Sequence, residues 1–224
     1  MSTVSYTPSA DLSFHVPVTG MSLAQFRNWA ESEAYPKQGK VVYYRGELFF
    51  DMSPERIDSH SALKQTLNLV IGGLVQQRDL GRYYPDGAGI QNEAAAVANE
   101  PDAFFAKWAT IKSGKLAAPP EKQGKHTALV GAPDWVCEIV SDSSEEKDLE
   151  ILRRAYHAAG IPEYWILDAR NEEIRFLLLT WTENEYAMVE SVDNWYRSSV
   201  FDIDFQLTRQ IDQVGWWQYE LKYR

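Results

Sequence analysis

The sequence has little cysteine and fewer basic than acidic residues. Cys137 is the single cysteine among 224 residues, so an intramolecular disulfide is excluded. Because it lies in the apolar run DWVCEIV, we expect a buried structural thiol and a reducing, cytoplasmic compartment. There are 22 Lys and Arg against 32 Asp and Glu, for a formal net charge of −10. This balance argues against a protein that binds nucleic acid through a positive electrostatic field over its whole surface. Any phosphate-binding surface must therefore be local.

Long apolar runs are also lacking. The longest are only a few residues, whereas a helix needs about 20 apolar residues to cross a bilayer, so no membrane span is expected. Residues 1–19 lack the basic region and apolar stretch of a secretory signal and are predicted to be a polar lead-in. With 45% hydrophobic residues, the remainder can bury a core, and we predict a single domain over residues 20–224.

The N-terminal third contains clear signals for two helices and a hairpin. Residues 20–33 have apolar side chains at helical spacing behind Ser22, a predicted N-cap. The segment KVVYYRGELFFDMS consists of two apolar runs separated by Arg45 and Gly46, which predicts a β-hairpin. Residues 58–79 have apolar residues three and four positions apart, which is typical of a helix that faces the core.

The middle of the chain has weaker signals. Residues 82–106 are rich in Tyr, Val, Ile and Phe and are interrupted by glycine and proline, which predicts two strands joined by turns. Residues 107–131 are rich in Lys, Gly, Pro and Ala with little periodicity, so they are predicted to be a long, basic surface loop.

The segment after residue 131 predicts a βαβ unit. An apolar run ends at Val140, and Ser143 with Glu146 has the spacing of a capping box. We therefore expect a helix that ends at Gly160, followed by the strand EYWILD and a second strand, EEIRFLLL. The last part alternates aromatic and polar residues, which predicts antiparallel strands that extend the sheet. The fold class is α/β (α+β), with a mixed central sheet flanked by helices.

Two acidic residues stand out in this arrangement. Side chains alternate along a strand, so one face of the run at 134–140 is predicted to hold Asp134, Val136, Glu138 and Val140. An unpaired buried carboxylate costs several kcal/mol, so Glu138 needs a partner. Asp134 is about 13 Å away along the strand. Asp102 begins another predicted strand after Pro101, and carboxylates on adjacent strands are a plausible Mg²⁺ site.

Several segments together resemble a known family. The most specific are PDWVCEIVSDSS, then KD, then YHAAGIPEYWILDAR. Weaker matches are Gly46-Glu47-Leu48, Met52-Ser53-Pro54, His60 and Pro101-Asp102. In this order they resemble the Uma-two family of putative restriction endonucleases, within the PD-(D/E)XK nuclease superfamily, over roughly residues 20–180.

The resemblance implies a restriction-endonuclease-like core and an endonuclease that hydrolyses DNA. Asp102 would be the metal-binding aspartate and Glu138 the second acid, with Mg²⁺ or Mn²⁺ as cofactor. Glu47 and His60 are further candidates for the site through the same resemblance, and Asp134 is a candidate through its Pro-Asp context. The aromatic C-terminal strands are a candidate surface for a homodimer.

The chain departs from the superfamily pattern at its lysine. Val140 occupies the usual position, and Leu152 occupies the position on the following helix where this family commonly has the lysine. Two nearby cations are candidates to replace it. Arg153 points toward the sheet if its helical stripe is buried, but it stays protonated and cannot act as a general base. Lys147 has the more suitable chemistry, but it must fold back to reach the strand end.

Each candidate also has a structural interpretation. Glu138 with Arg153 is a possible buried ion pair, and Asp102 and Asp134 are possible turn residues after proline. His60 is more often a surface or core histidine than a ligand, and Glu47 a polar hairpin residue. Two other functions follow: a catalytically inactive, nuclease-derived DNA-binding or assembly protein, and a metal-free structural protein.

Overall fold

The computed structural model describes residues 13–17, 20–119 and 126–224; most of the predicted lead-in lies outside these ranges. The strands are β1 (Ser13–Pro17), β2 (Lys40–Tyr44), β3 (Glu47–Asp51), β4 (Gly81–Pro85), β5 (Gly89–Asn92), β6 (Val97–Asn99), β7 (Ala103–Lys107), β8 (Leu116–Ala117), β9 (Ala128–Gly131), β10 (Trp135–Ile139), β11 (Glu163–Asp168), β12 (Arg175–Trp181), β13 (Tyr186–Met188), β14 (Tyr196–Ser198), β15 (Ile203–Ile211) and β16 (Trp217–Tyr223).

Helices lie between these strands. They are α1 (Leu23–Ala30), α2 (Ile57–Ser61, Ala62–Leu67, Asn68–Gly72 and Gly73–Gln77 in direct succession), α3 (Trp108–Lys112) and α4 (Lys147–Ile151 followed by Leu152–Ala158). The first and third parts of α2 and the first part of α4 are π-helical. In the described part of the chain, no helix is long and apolar enough to cross a membrane.

The central sheet has six strands in the order β13-β12-β11-β10-β7-β4. Strands β10 and β11 are parallel and are connected through α4, while the other pairs are antiparallel. The predicted βαβ unit and the mixed α+β fold are therefore confirmed. The strand EYWILD coincides with β11, and Gly160, at φ +72°, follows the end of α4, as the C-terminal glycine signal predicts.

The two faces of the central sheet bury different side chains. On one face Trp135, Cys137 and Ile139 pack in one apolar cluster with Leu63 and Leu67 of α2. The opposite face is covered by α4. There, the cluster includes Val136 and Val140 of the β10 segment and Leu152 and Tyr156 of the helix. The predicted alternation along β10 is confirmed.

A second sheet, in the order β1-β3-β2-β6-β5-β9-β8, is built around the predicted hairpin of β2 and β3. Arg45 and Gly46 have φ angles of 51° and 84°, as a two-residue type I′ turn requires. The N-cap of α1 is also confirmed. The Ser22 hydroxyl accepts from the Gln25 N–H at 3.2 Å, and the Gln25 side chain accepts from the Ser22 N–H at 2.8 Å.

The middle of the chain is more ordered than predicted. Residues 82–106 contain parts of four strands, β4 to β7, instead of two. Within residues 107–131, the predicted loop is wrong for the described part, which contains α3, β8 and β9. Strand β9 pairs in parallel with β5, about forty positions earlier, and β8 pairs with β9. Such short strands are stabilised by distant pairing and not by a local pattern.

The C-terminal strands do not all extend the central sheet. Strand β13 does, but β14, β15 and β16 form a separate three-stranded sheet. Its side chains Phe205, Tyr219 and Leu221 join the apolar cluster that contains α2. The prediction is therefore wrong for these three strands, because they bury their apolar face against a helix and a sheet face and do not pair with an edge.

Candidate functional site

A small pocket collects many of the chain's titratable side chains. Its volume is about 200 Å³, and it is lined by Gly39, Lys40, Asp51, Ser53, Glu55, His60, Glu100, Asp102, Ile139, Ser141, Ser144 and Lys147. A larger groove of about 800 Å³ lies between α2 and the β15–β16 hairpin, but Asp212 is its one acidic side chain. The concentration of acids and cations, and not size, makes the smaller pocket the candidate site.

Asp102 lies at the centre of this pocket, immediately before β7. The Ile139 N–H donates to its Oδ2 at 2.7 Å. Its Oδ1 lies 2.7 Å from Lys40 Nζ and 3.2 Å from Lys64 Nζ, and its Oδ2 lies 3.5 Å from His60 Nε2. Burial alone would raise the pKa of Asp102, but Lys40, His60 and Lys64 hold it well below the usual value. Asp102 therefore stays ionised at neutral pH.

Glu138 lies on β10 and is fully buried. Its Oε1 accepts from the Asn99 side-chain amide at 2.8 Å and from the Tyr156 hydroxyl at 2.5 Å. Burial, together with the charges of Asp148 and Asp102, raises the pKa of Glu138 to about 8, although Lys147 opposes this shift. At neutral pH this carboxyl group is therefore largely protonated.

Strand pairing brings the two acids to the same level of the sheet. Ala103 of β7 pairs with Cys137 of β10, so Asp102 and Glu138 are the next residues of the two antiparallel strands. The hydrogen bond from Ile139 to Asp102 holds the aspartate beside the peptide that follows Glu138. At this separation the negative charge of Asp102 raises the pKa of Glu138.

Three ligand atoms can converge on a metal ion here. Atoms of Glu55, His60 and Asp102 all lie within 4.8 Å of one another. Burial alone would lower the pKa of His60, but Asp102 and Glu55 raise it to about 9. His60 Nδ1 is 3.2 Å from Glu55 Oε2 without hydrogen-bond geometry, and it is buried without another partner. Two carboxylates and an imidazole fit a divalent cation, provided that His60 first loses its proton.

Lys147 lines the pocket, but its ammonium group contacts the next residue in the chain, Asp148. Its Nζ lies 3.0 Å from Asp148 Oδ1, and the Ser144 hydroxyl donates to Asp148 Oδ2 at 2.5 Å. Burial alone would lower the pKa of Lys147, but Asp148 and Glu138 raise it above the usual value. Lys147 is therefore a cation at neutral pH.

Arg153 lies away from the acids. Its guanidinium donates to the Tyr186 carbonyl at 2.8 Å, and its side chain is 39% exposed. The Glu138–Arg153 ion pair considered from the sequence is therefore wrong. The Arg153 guanidinium bonds to β13, whereas Leu152 and Tyr156 of the same helix pack on the β10 side.

Two other predicted candidates also lie outside the pocket wall. Glu47 is at the turn end of β3, paired with Tyr44, whereas Asp51 at the other end of the strand enters the pocket. Asp134 accepts from the Lys107 N–H at 2.7 Å, between β7 and β10. This bond favours the turn interpretation of Asp134.

Several residues of this site were not predicted from the sequence: Lys40, Asp51, Glu55, Asn99, Asp148 and Tyr156. Asp51 had one usable signal, since it directly precedes the Met52-Ser53-Pro54 match. It accepts from the hydroxyls of Ser53 and Ser143, each at 2.7 Å. Ser143 thus bonds to the hairpin and does not form the predicted capping box.

The mixed sheet and its crossover helix define a restriction-endonuclease-like fold. The sequence matches the model of the Uma2 family, described as putative restriction endonuclease, over residues 23–210. The chain belongs to this family, as predicted.

The chain also resembles a solved structure, that of a putative nuclease belonging to DUF820 from Anabaena variabilis ATCC 29413. The TM-score is 0.59 at 18% sequence identity, and the alignment covers 81% of this chain and 91% of that chain. This likeness shows a shared fold. No curated protein matched the chain.

Proposed function

We propose that the chain is a divalent-metal-dependent nuclease that hydrolyses phosphodiester bonds in DNA, with Asp102 as its central metal ligand. Family membership supports the reaction class. The observation that carries the proposal is the position of Asp102, which is ionised, lines the pocket and lies within reach of both Glu55 and His60. Mg²⁺ is the expected ion and Mn²⁺ the alternative, because Mn²⁺ more readily accepts an imidazole ligand.

The residues of the pocket and the buried Glu138 have distinct roles in this proposal. Asp102, Glu55 and His60 would hold the ion, and Glu138, once deprotonated, would be the second acid beside Asp102. The ion, when bound, would supply a water of lowered pKa and stabilise the pentavalent transition state. Asn99 and Tyr156 fix the orientation of Glu138 through their hydrogen bonds to Oε1.

DNA is the proposed partner despite the net charge of −10. Lys40, His60 and Lys147 bring positive charge to the pocket wall. They are the kind of local phosphate-binding surface that an acidic protein needs. We also propose a cytoplasmic location, because the lone Cys137 is buried and free.

Plasmid cleavage tests this proposal. The purified chain is incubated with supercoiled plasmid in Mg²⁺, in Mn²⁺ and in EDTA, and calorimetry measures binding of each metal. We expect nicking only with metal, and a loss of about 100- to 1000-fold for Asp102→Asn, the scale for removing one transition-state stabiliser. Glu138→Gln should also be impaired, whereas the exposed control Glu220→Gln should cleave like the unaltered chain. Equal cleavage by Asp102→Asn and the unaltered chain would reject the assignment.

A second function is favoured by the apolar residues at the lysine positions. Val140 and Leu152 are buried in the cluster beside α4, which suits a nuclease-derived DNA-binding or assembly protein without catalysis. DNA binding without cleavage in either metal would support this alternative and contradict the enzyme.

A further inference from the structure

The site lacks a charged side chain at both positions where a nuclease of this kind carries its lysine. Val140 and Leu152 are fully buried and pack among apolar residues on the α4 face. Neither side chain lines the pocket that contains Asp102. A positive group for a substrate phosphate must therefore come from another element.

Four cationic side chains surround the acids, and their contacts distinguish them. Lys64 contacts Asp102, but it is only 11% exposed and does not line the pocket. Lys147 lines the pocket, but its ammonium contacts Asp148. His60 is one of the proposed metal ligands. Lys40 both lines the pocket and contacts Asp102, at 2.7 Å, and its side chain is 18% exposed.

The local backbone explains why a lysine reaches the pocket from this position. Lys40 is the first residue of β2 and pairs with Asp51, the last residue of β3. Gly39 precedes it with φ +79°, and a Cβ there would lie 2.6 Å from the Asp51 carbonyl oxygen and 2.5 Å from Met52 Sδ. The glycine therefore lets the start of β2 approach the end of β3 closely. Lys40 and Asp51 consequently line the same pocket.

The hydrogen-bond donors of Lys40 are not exhausted by its two acidic neighbours. Asp102 at 2.7 Å and Asp86 at 3.1 Å account for two of its three N–H donors. One donor remains for a ligand in the pocket.

We propose that Lys40 takes the place of the absent lysine and binds a non-bridging oxygen of the scissile phosphodiester. This inference rests on the proposed function, because it takes a nucleic acid phosphate as the ligand. It assigns the role to β2, an element that contributes no residue to the predicted site. Arg153 and Lys147 thereby lose the role that the sequence suggested for them.

Binding of DNA, measured separately from cleavage, tests the inference. Fluorescence anisotropy follows a labelled DNA duplex in EDTA and with Ca²⁺ in place of Mg²⁺. Lys40→Met should weaken binding by about 10- to 100-fold, the range for losing a charged hydrogen bond, whereas Lys40→Arg should bind within a few-fold of the unaltered chain. Lys222→Met, an exposed lysine of β16, is the matched control and should bind normally. If Lys40→Met does not fold, Lys40→Gln replaces it, because its amide can still donate to Asp102.

Cleavage in Mg²⁺ gives the second readout, in which Lys40→Met should lower kcat as well as binding. Unchanged DNA binding by a folded Lys40→Met or Lys40→Gln variant would overturn the inference. So would a loss that occurs in Lys147→Met or Lys64→Met but not at position 40. If the unaltered chain binds DNA but does not cut it, the proposed nuclease fails, and the binding comparison alone decides for or against Lys40. Absence of DNA binding by the unaltered chain would overturn both.

Discussion

Two neighbouring carboxyl groups, Asp102 of the pocket and the buried Glu138, have opposite protonation states. Lys40, His60 and Lys64 contact Asp102 and keep it ionised. Glu138 lies on the adjacent strand β10 and is buried. Its Oε1 accepts only from neutral donors, Asn99 and Tyr156, among the bonds described above, and its pKa is about 8. Environments that separate the pKa values of two neighbouring acids in this way are typical of sites that perform acid–base chemistry.

The protonation of Glu138 predicts a pH dependence of stability. The ordinary pKa of a glutamate side chain is 4.5, whereas the pKa of Glu138 in the folded chain is about 8. Between these two pH values, the folded state retains a proton that the unfolded state releases. The contribution of Glu138 to stability is therefore fully present below about pH 4.5 and is lost as the pH rises to about 8.

Glu138→Gln removes this titration while the amide still occupies the same space. We expect Tm, measured in EDTA, to fall less between pH 5 and pH 8 in the variant than in the unaltered chain. His60, with its pKa raised to about 9, contributes a further loss above about pH 6.5 in both proteins. Identical pH profiles of Tm would show that Glu138 is not the titrating group.

At the scale of elements, the hairpin of β2 and β3 brings Lys40 and Asp51 to the pocket. Its turn end is set by Arg45 and Gly46, but its open end depends on Gly39. The hydroxyls of Ser53 and Ser143 then connect Asp51 to the segment before α4. The two sheets are thus held together at the site by polar contacts.

Gly39→Ala should disrupt this open end. The positive φ costs about 1–2 kcal/mol for an alanine, and the clash with the Asp51 carbonyl adds about 1–3 kcal/mol. Gly114→Ala is the matched control, since Gly114 has φ +76° but open space around its Cβ position. Urea unfolding should show a larger loss of unfolding free energy for Gly39→Ala. Equal losses in the two variants would contradict the proposed close approach.

At the scale of the whole molecule, Glu163 attaches the C-terminal sheet to the central sheet. It is fully buried on β11. Its Oε1 accepts from the Trp165 indole and the Ser198 hydroxyl, each at 2.7 Å, and its Oε2 accepts from the backbone N–H groups of Ser199 at 2.9 Å and Val200 at 3.2 Å. A carboxyl group with these donors orders the turn between β14 and β15 of the C-terminal sheet.

Glu163→Gln should weaken this attachment. An amide presents an NH₂ group to donors that need an acceptor, and leaving buried donors unsatisfied costs about 1–3 kcal/mol. We expect a loss of this size in the free energy of unfolding and faster proteolysis within residues 190–224. The exposed Glu220→Gln is the control. Unchanged proteolysis of Glu163→Gln would show that apolar packing alone holds the sheet.

Sequence patterns were informative where a structure depends on neighbours in the chain. Three features follow from the local spacing of residues in the chain. They are the cap of α1 at Ser22, the turn at Arg45 and Gly46, and the parallel βαβ unit around α4. The short strands β5, β6, β8 and β9 were not predicted individually. Two of them depend on partners far away in the chain, since β5 pairs with β9 and β6 pairs with β2.

The sequence by itself determined the family and the mixed fold, and it identified Asp102 and Glu138 as candidate site residues. The reason is that the motifs behind these predictions lie within short continuous segments of the chain. Only the tertiary structure decided which cations accompany them. Lys40 and Asp102 are sixty-two positions apart, yet their charged atoms are 2.7 Å apart. Such a contact depends on how two sheets are placed against each other. No periodicity along the chain indicates that placement. Lys40 and Glu55 were therefore not predicted from the sequence, and the contact expected between Arg153 and Glu138 was wrong.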